Sequence, residues 1–162
     1  MWKENKEIIY RRIKGGRIKI DYRSLTSFSM FIQNDSKKNE AGGVLLGRMI
    51  INTKDVVIDT VSSPQKTDKR KRNYFKRNNG HQGIIDSEWK KSQGTCNYLG
   101  EWHTHPEEIP VPSLIDLKSW KKQLKNAKYE GEALFFIIVG IKEIVVYEGE
   151  SSTLKISQLS KY

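Results

Sequence analysis

The chain has a single cysteine, Cys96, so no disulfide can form within it. It lacks any apolar run near the ~18 residues needed to cross a bilayer, which excludes a membrane-spanning helix. Its charged start, Met1 to Glu7, has no apolar stretch of the kind that directs secretion. No second composition block, internal repeat or long linker divides the sequence. These absences predict one domain over residues 1–162, cytoplasmic and not membrane-bound. Acidic residues are also in short supply, with 19 against 29 lysines and arginines, a net charge of +10. That excess is compatible with nucleic acid, an acidic protein partner or plain solubility. Much of it is local: Lys66, Lys69, Arg70, Lys71, Arg72, Lys76 and Arg77 crowd one stretch.

The apolar pattern supplies the elements. Ile8 to Arg12 and Arg17 to Asp21 read as strands around a Gly15-Gly16 turn. Leu25, Phe28, Phe31 and Ile32 recur at helical spacing, predicting a helix over about Arg23 to Asn34. Gly42 to Ile51 is an apolar run broken only by Arg48, expected as a buried central strand, with Val56 to Val61 returning beside it. Ser62 to Arg72 reads as a mobile loop and Asn73 to Arg77 as a short strand. A helix is expected over Gly80 to Ser92, closed by Gly94. Asn97 to His105 is the next strand. Ser113 to Lys128 is a helix with Leu114, Leu117, Trp120 and Leu124 inward. Two strands, Ala133 to Val139 and Glu143 to Glu148, precede a last one near Leu154 to Ile156.

The chemistry concentrates at Glu101 to Asp116. Residues two apart on a strand face the same way, so His103 and His105 can reach one ion together. A turn through Pro106, Pro110 and Pro112 leads to a helix start, with Asp116 one turn in. Two imidazoles and one carboxylate suit Zn²⁺ with a position left open for water. Open zinc sites that hydrolyse amides also need a carboxylate base, and Glu40 stands just before the apolar run. Ser113 and Asp116 equally form a helix capping box, and the two roles are compatible.

Together these pieces resemble the JAMM metalloprotease motif of the JAB/MPN family: E-x-x-G-x-L-x-G, then H-x-H, seven residues and S-x-x-D. Glu40, Gly43, Leu45 and Gly47, then His103, His105, Ser113 and Asp116, meet it without departure. The resemblance implies an α/β (α+β) fold, a mixed central β-sheet flanked by helices in a cytidine-deaminase-like layout. It implies Zn²⁺ held by His103, His105 and Asp116, Glu40 as general base, and Ser113 as hydrogen-bond donor to the oxyanion. The form Gly100-Glu-Trp-His-Thr-His-Pro-Glu107 looks like the compact bacterial JAB proteins. Some of those accompany ubiquitin-like conjugation enzymes in antiphage operons of the CBASS type. The implied activity is cleavage after the C-terminal glycine of a ubiquitin-like conjugate, freeing a nucleotidyltransferase. A JAB peptidase of sulfur-carrier metabolism and a nucleic-acid-associated protein resembling the RadC family remain as alternatives.

The remaining residues are read more plainly. Glu101 shares the strand face of the histidines and could orient an imidazole. Glu107 and Glu108 read as solvated loop acids. His81 reads as a helix-start residue, Cys96 as a small buried one, and Trp102 and Trp120 as core. The basic run fits a solvated loop, a nucleic-acid contact through Tyr74 and Phe75, or the insertion with which related deubiquitinases grip ubiquitin.

Overall fold

Strands β1 (Glu7–Arg11) and β2 (Arg17–Asp21) bury alternate residues, pairing Ile8 with Ile20 and Tyr10 with Ile18, in the computed structural model of residues 1–162. Gly15 and Gly16 turn the chain between them at positive φ. Asp21 then caps helix α1 (Tyr22–Ser29) by accepting the Ser24 amide. The helix stops five residues before the expected Asn34. Thr26, Ser27 and Ser29 give their hydroxyls to carbonyls three or four residues back, a competition that weakens the helix. The chain leaves it with Ile32 and Gln33 still buried.

Strand β3 (Gly42–Met49) and β4 (Val56–Val61) follow as the apolar pattern predicts. Ser62 to Arg72 departs from expectation. Its end forms β5 (Lys69–Lys71), which pairs with β6 (Tyr74–Lys76) as a separate two-stranded sheet. Helix α2 (Gly80–Lys91) comes next, and the Gly94 amide closes it onto Trp89 O. Strand β7 (Asn97–Thr104), helix α3 (Leu114–Asn126), β8 (Ala133–Val139), β9 (Ile144–Glu150) and β10 (Ile156–Gln158) complete the chain.

The main sheet runs β1-β2-β4-β3-β7-β8-β9-β10. It is mixed, parallel at β2–β4 and β7–β8. The C-terminal tail returns to the free edge of β1, where Lys161 bridges Tyr10 and the Tyr162 amide bonds Ile9 O, so the sheet curls on itself. One core fills the concave side around Ile18, Phe28, Leu45, Trp102 and Ile137. A second lies under α3, around Val44, Trp120, Leu124, Phe136 and Ile138. Leu114 is not part of it: at 78% exposure it points to solvent, contrary to the expected inward stripe. As the first helical residue it precedes the turn that meets the sheet, and Trp120 and Leu124 make the buried contact. No helix is long and apolar enough to cross a membrane.

Candidate functional site

The histidines are aimed by a defect in their strand. The β3–β7 register slips where Leu45 faces Gly100 and Leu46 faces Tyr98, so Leu99 bulges. Gly100 takes φ +141°, and a Cβ there would strike the Phe135 carbonyl. A bulge re-aims the side chains beyond it. Tyr98 and Glu101, three residues apart, consequently share a face, with the Tyr98 hydroxyl 3.4 Å from Glu101 Oε1. His103 continues on that face, and His105 follows just past the strand, its amide bonded to Val139 O at 3.1 Å. The two Nε2 atoms stand 3.0 Å apart.

Helix α3 brings the carboxylate. The Ser113 hydroxyl accepts the Asp116 amide at 3.1 Å, and Asp116 Oδ2 accepts the Ser113 amide at 2.8 Å, a complete capping box. This fixes the Asp116 rotamer. Its Oδ1 then lies 3.3 Å from His103 Nε2 and its Oδ2 3.2 Å from His105 Nε2. Burial opposes ionisation of Asp116, but the two imidazoles and the Ser113 amide outweigh it and hold the carboxyl far below its ordinary range. Burial likewise opposes protonation of His105, and Asp116 outweighs it and raises the imidazole pKa.

Glu40 arrives from the other side. It is 5% exposed, with Oε1 3.8 Å from His103 Nε2, and its ligand atom clusters with those of His103 and His105 within 4.8 Å. Burial pushes its carboxyl up to about 7, against the pull of the imidazoles. Its backbone is clamped by β5: the Glu40 amide bonds Lys71 O at 2.8 Å, and Arg70 Nε donates to Glu40 O at 2.9 Å. Next to it the Ala41 amide bonds Thr104 Oγ1, Thr104 bonds Gln33 Oε1, and Gln33 Nε2 reaches Arg72 O. The basic segment is therefore built into the site rather than a loose loop. Gly43 is required by close approach, because a Cβ there would meet Ser62 Oγ at 2.6 Å.

A groove of about 600 Å³ runs over these residues, walled by the β6 side and by α3, with β7 as its floor. The five polar residues of the motif, Glu40, His103, His105, Ser113 and Asp116, all line it. Glu101 does not touch an imidazole. It sits between the walls, accepting from Arg77 Nε and Gln123 Nε2, each at 2.6 Å. Glu107 turns the proline loop by accepting the Val111 amide at 3.0 Å, with its carboxylate 3.7 Å from His105 Nδ1. Sequence reasoning missed a second histidine cluster. His81 is fully buried, bonded to Ser62 Oγ at 2.7 Å and Asp68 Oδ2 at 2.8 Å. Cys96, Trp102 and Trp120 are buried as expected.

Residues 30–153 match the family described as prokaryotic homologs of the JAB domain. A protein of Pseudomonas aeruginosa (strain BWHPSA011 / Pa011), named CD-NTase/cGAS isopeptidase, is 37% identical over 118 residues, 72% of this chain and 73% of its own. An Escherichia coli (strain TW11681) protein of the same name is 37% identical over 113 residues, 69% of each chain. The solution structure of a Desulfitobacterium hafniense protein matches with a TM-score of 0.55 at 19% identity, over 81% of both chains, a likeness of fold.

Proposed function

Because the chain belongs to the prokaryotic JAB-domain family, we propose that it is a zinc-dependent isopeptidase. It would hydrolyse the bond after the C-terminal glycine of a ubiquitin-like conjugate and release a nucleotidyltransferase in antiphage defence of the CBASS type. The observation that carries this reading is the spacing of three donors. His103 Nε2, His105 Nε2 and the Asp116 oxygens are separated by 3.0, 3.2 and 3.3 Å. Donors about 2.0–2.1 Å from one tetrahedral Zn²⁺ stand about 3.3 Å apart. With both Nε2 atoms unprotonated, lone pairs this close would repel, and a cation among them would remove the repulsion. His103, His105 and Asp116 would hold the ion. When bound, Zn²⁺ supplies Lewis acidity, polarising a carbonyl and acidifying water.

Glu40 has a different task, since 3.8 Å to the nearest imidazole sets it back from that triangle. Its carboxylate takes the proton of the attacking water and passes it to the leaving amine nitrogen. Ser113 Oγ already accepts the Asp116 amide, so its own hydrogen is free to donate to the oxyanion. The β5 backbone and Arg70 keep Glu40 in register with the histidines. The name carried by the relatives supports a nucleotidyltransferase conjugate as substrate.

Elemental analysis of the purified protein should give about one Zn²⁺ per chain. The His103→Ala, His105→Ala double variant should lose both the metal and cleavage of a nucleotidyltransferase joined to a ubiquitin-like C-terminal glycine. Undiminished zinc in that variant would overturn the ligand set. Zinc-loaded wild type that leaves the conjugate intact would overturn the isopeptidase reading.

A further inference from the structure

Nine of the ten net positive charges fall in two segments that flank the groove, of which Lys76, Arg77 and Lys122 line it and the rest lie on its rims. Lys66 to Arg77 carries seven cations and one acid, Asp68, while α3 carries four lysines and one acid, Asp116. Away from these segments, eight of the eighteen lysines and arginines pair with carboxylates, among them Arg12 with Glu148 at 2.8 Å, Arg17 with Asp55 at 3.1 Å and Lys161 with Glu143 at 2.7 Å. On the walls only Arg77 does, with Glu101. The β5–β6 hairpin is two-faced. Arg70 and Phe75 turn inward, onto Glu40 O and against Gly42, leaving Lys69, Lys71 and Lys76 exposed. Lys69 stands directly across from Lys76. On α3, Lys118, Lys122 and Lys125 recur at i, i+4 and i+7, one exposed stripe, and Lys122 lines the groove opposite Lys76. Unrelieved like charges facing each other oppose compaction, and an anionic occupant relieves them.

We infer that this groove takes an extended acidic peptide: the segments flanking the scissile glycine bond carry Asp or Glu that meet Lys69, Lys71 and Lys76 on one wall and Lys118, Lys122 and Lys125 on the other. The inference rests on the isopeptidase reading for the origin of the peptide. Peptide fits better than nucleic acid for two reasons. The groove is also lined by Glu40, Glu101, Glu107 and Asp116, which repel the closely spaced phosphates of a nucleic-acid strand. An extended peptide alternates its side chains, so acids turn to the walls and small residues lie over the floor. The groove also offers only one exposed aromatic side chain for base stacking, Tyr74: Phe75 is packed on Gly42, and Trp102 and Trp120 are buried.

The test uses zinc-loaded Glu40→Gln protein, to hold substrate uncut, and two fluorescein-labelled isopeptides with the same Gly-Gly linkage to lysine. One has glutamates on both flanks, the other glutamines. Anisotropy should show the glutamate peptide binding about tenfold more tightly at low salt, with most of that lead lost near about 0.5 M salt. Lys69→Glu/Lys71→Glu/Lys76→Glu and Lys118→Glu/Lys122→Glu/Lys125→Glu should each abolish the preference, and should favour a lysine-flanked peptide instead. Equal affinity for the glutamate and glutamine peptides would overturn the inference. So would an oligothymidylate of similar length that binds more tightly than the glutamate peptide and displaces it. If zinc-loaded wild type cuts no isopeptide while the charge preference persists, the isopeptidase reading fails and the groove for an acidic peptide stands.

Discussion

Two clusters of buried histidine and carboxylate lie on the same side of the sheet, and they are satisfied in opposite ways. At His81 every valence closes. Ser62 Oγ accepts the Val44 amide at 2.8 Å, so its hydrogen goes to His81 Nδ1, and Nε2–H donates to Asp68. Burial opposes ionisation of Asp68, but the Gln65 amide, His81 and the Asn78 amide outweigh it and keep the carboxyl below its ordinary range. At His103 and His105 the two Nε2 atoms confront each other at 3.0 Å with one carboxylate between them. The first cluster has the residue types of a serine-hydrolase triad but no open hydroxyl and no unmet donor or acceptor. The second has converging acceptors and an opening to a groove. Convergence on a common point, rather than residue type, separates a histidine that does chemistry from one that fastens a loop.

The sharpest way to break the comparison is at Glu40, the one acid of the open cluster set back from the donor triangle. Glu40→Gln keeps the shape, removes the basicity and leaves the three proposed zinc donors untouched. Turnover should fall by roughly 10²–10⁴-fold, with zinc content unchanged. Asp116→Asn should lower zinc content along with rate, because it replaces a charged donor by a neutral amide. Measuring turnover against bound zinc for both variants decides the matter. Wild-type turnover in Glu40→Gln would remove Glu40 from the mechanism.

The sequence carried the central strands β3 and β8 as bounded, largely apolar runs, and β4 as the strand returning beside β3; the order of pairing is visible only in the sheet itself. It also carried the spacing of Glu40, His103, His105, Ser113 and Asp116, since ligand geometry on a strand and a helix start leaves a periodic trace. Contacts made through backbone atoms left none. Nothing in the letters says that Lys71 O and Arg70 hold Glu40 in place, so β5 looked like a loose loop. His81 was equally opaque, because its partners Ser62 and Asp68 are 19 and 13 residues away and lie on different segments. Glu101 had the right face for an imidazole but found Arg77 and Gln123 first, as the bulge at Leu99 and the two walls put them nearer.

The closed cluster should respond in stability, not in metal. His81→Ala leaves a cavity in place of a fully buried ring and strips Ser62 and Asp68 of their partner. The expected cost is about 2–4 kcal/mol, read as a drop in the urea midpoint. Zinc bound per folded chain should stay at the wild-type level. A variant that keeps its stability but loses zinc would erase the distinction between the two clusters.

The smallest effect concerns the metal-free protein, and its sign is opposite to that of an ordinary ion pair. Burial raises the folded Glu40 pKa to about 7, from an ordinary value of 4.5. Between those values the folded chain holds a proton that the unfolded chain has released, so stability must fall as pH rises through this window. Asp116, held low, works the other way: its contribution is lost as pH falls toward its depressed folded value. Subtracting Glu40→Gln from wild type cancels the Asp116 contribution to first order and isolates Glu40. Without metal, the variant should be more stable than wild type by about 1–3 kcal/mol at pH 8. The gap should close on acidification through about pH 7 toward 4.5 and stay closed below. Urea titrations at pH 4.5, 6 and 8 in the presence of chelator measure it. A gap of constant size across that range would mean that Gln merely packs better, and the open cluster would not be holding a carboxylate under desolvation strain. Adding Zn²⁺ should stabilise both proteins by mass action and should narrow the gap at pH 8, because a dication beside Glu40 offsets the cost of its buried charge.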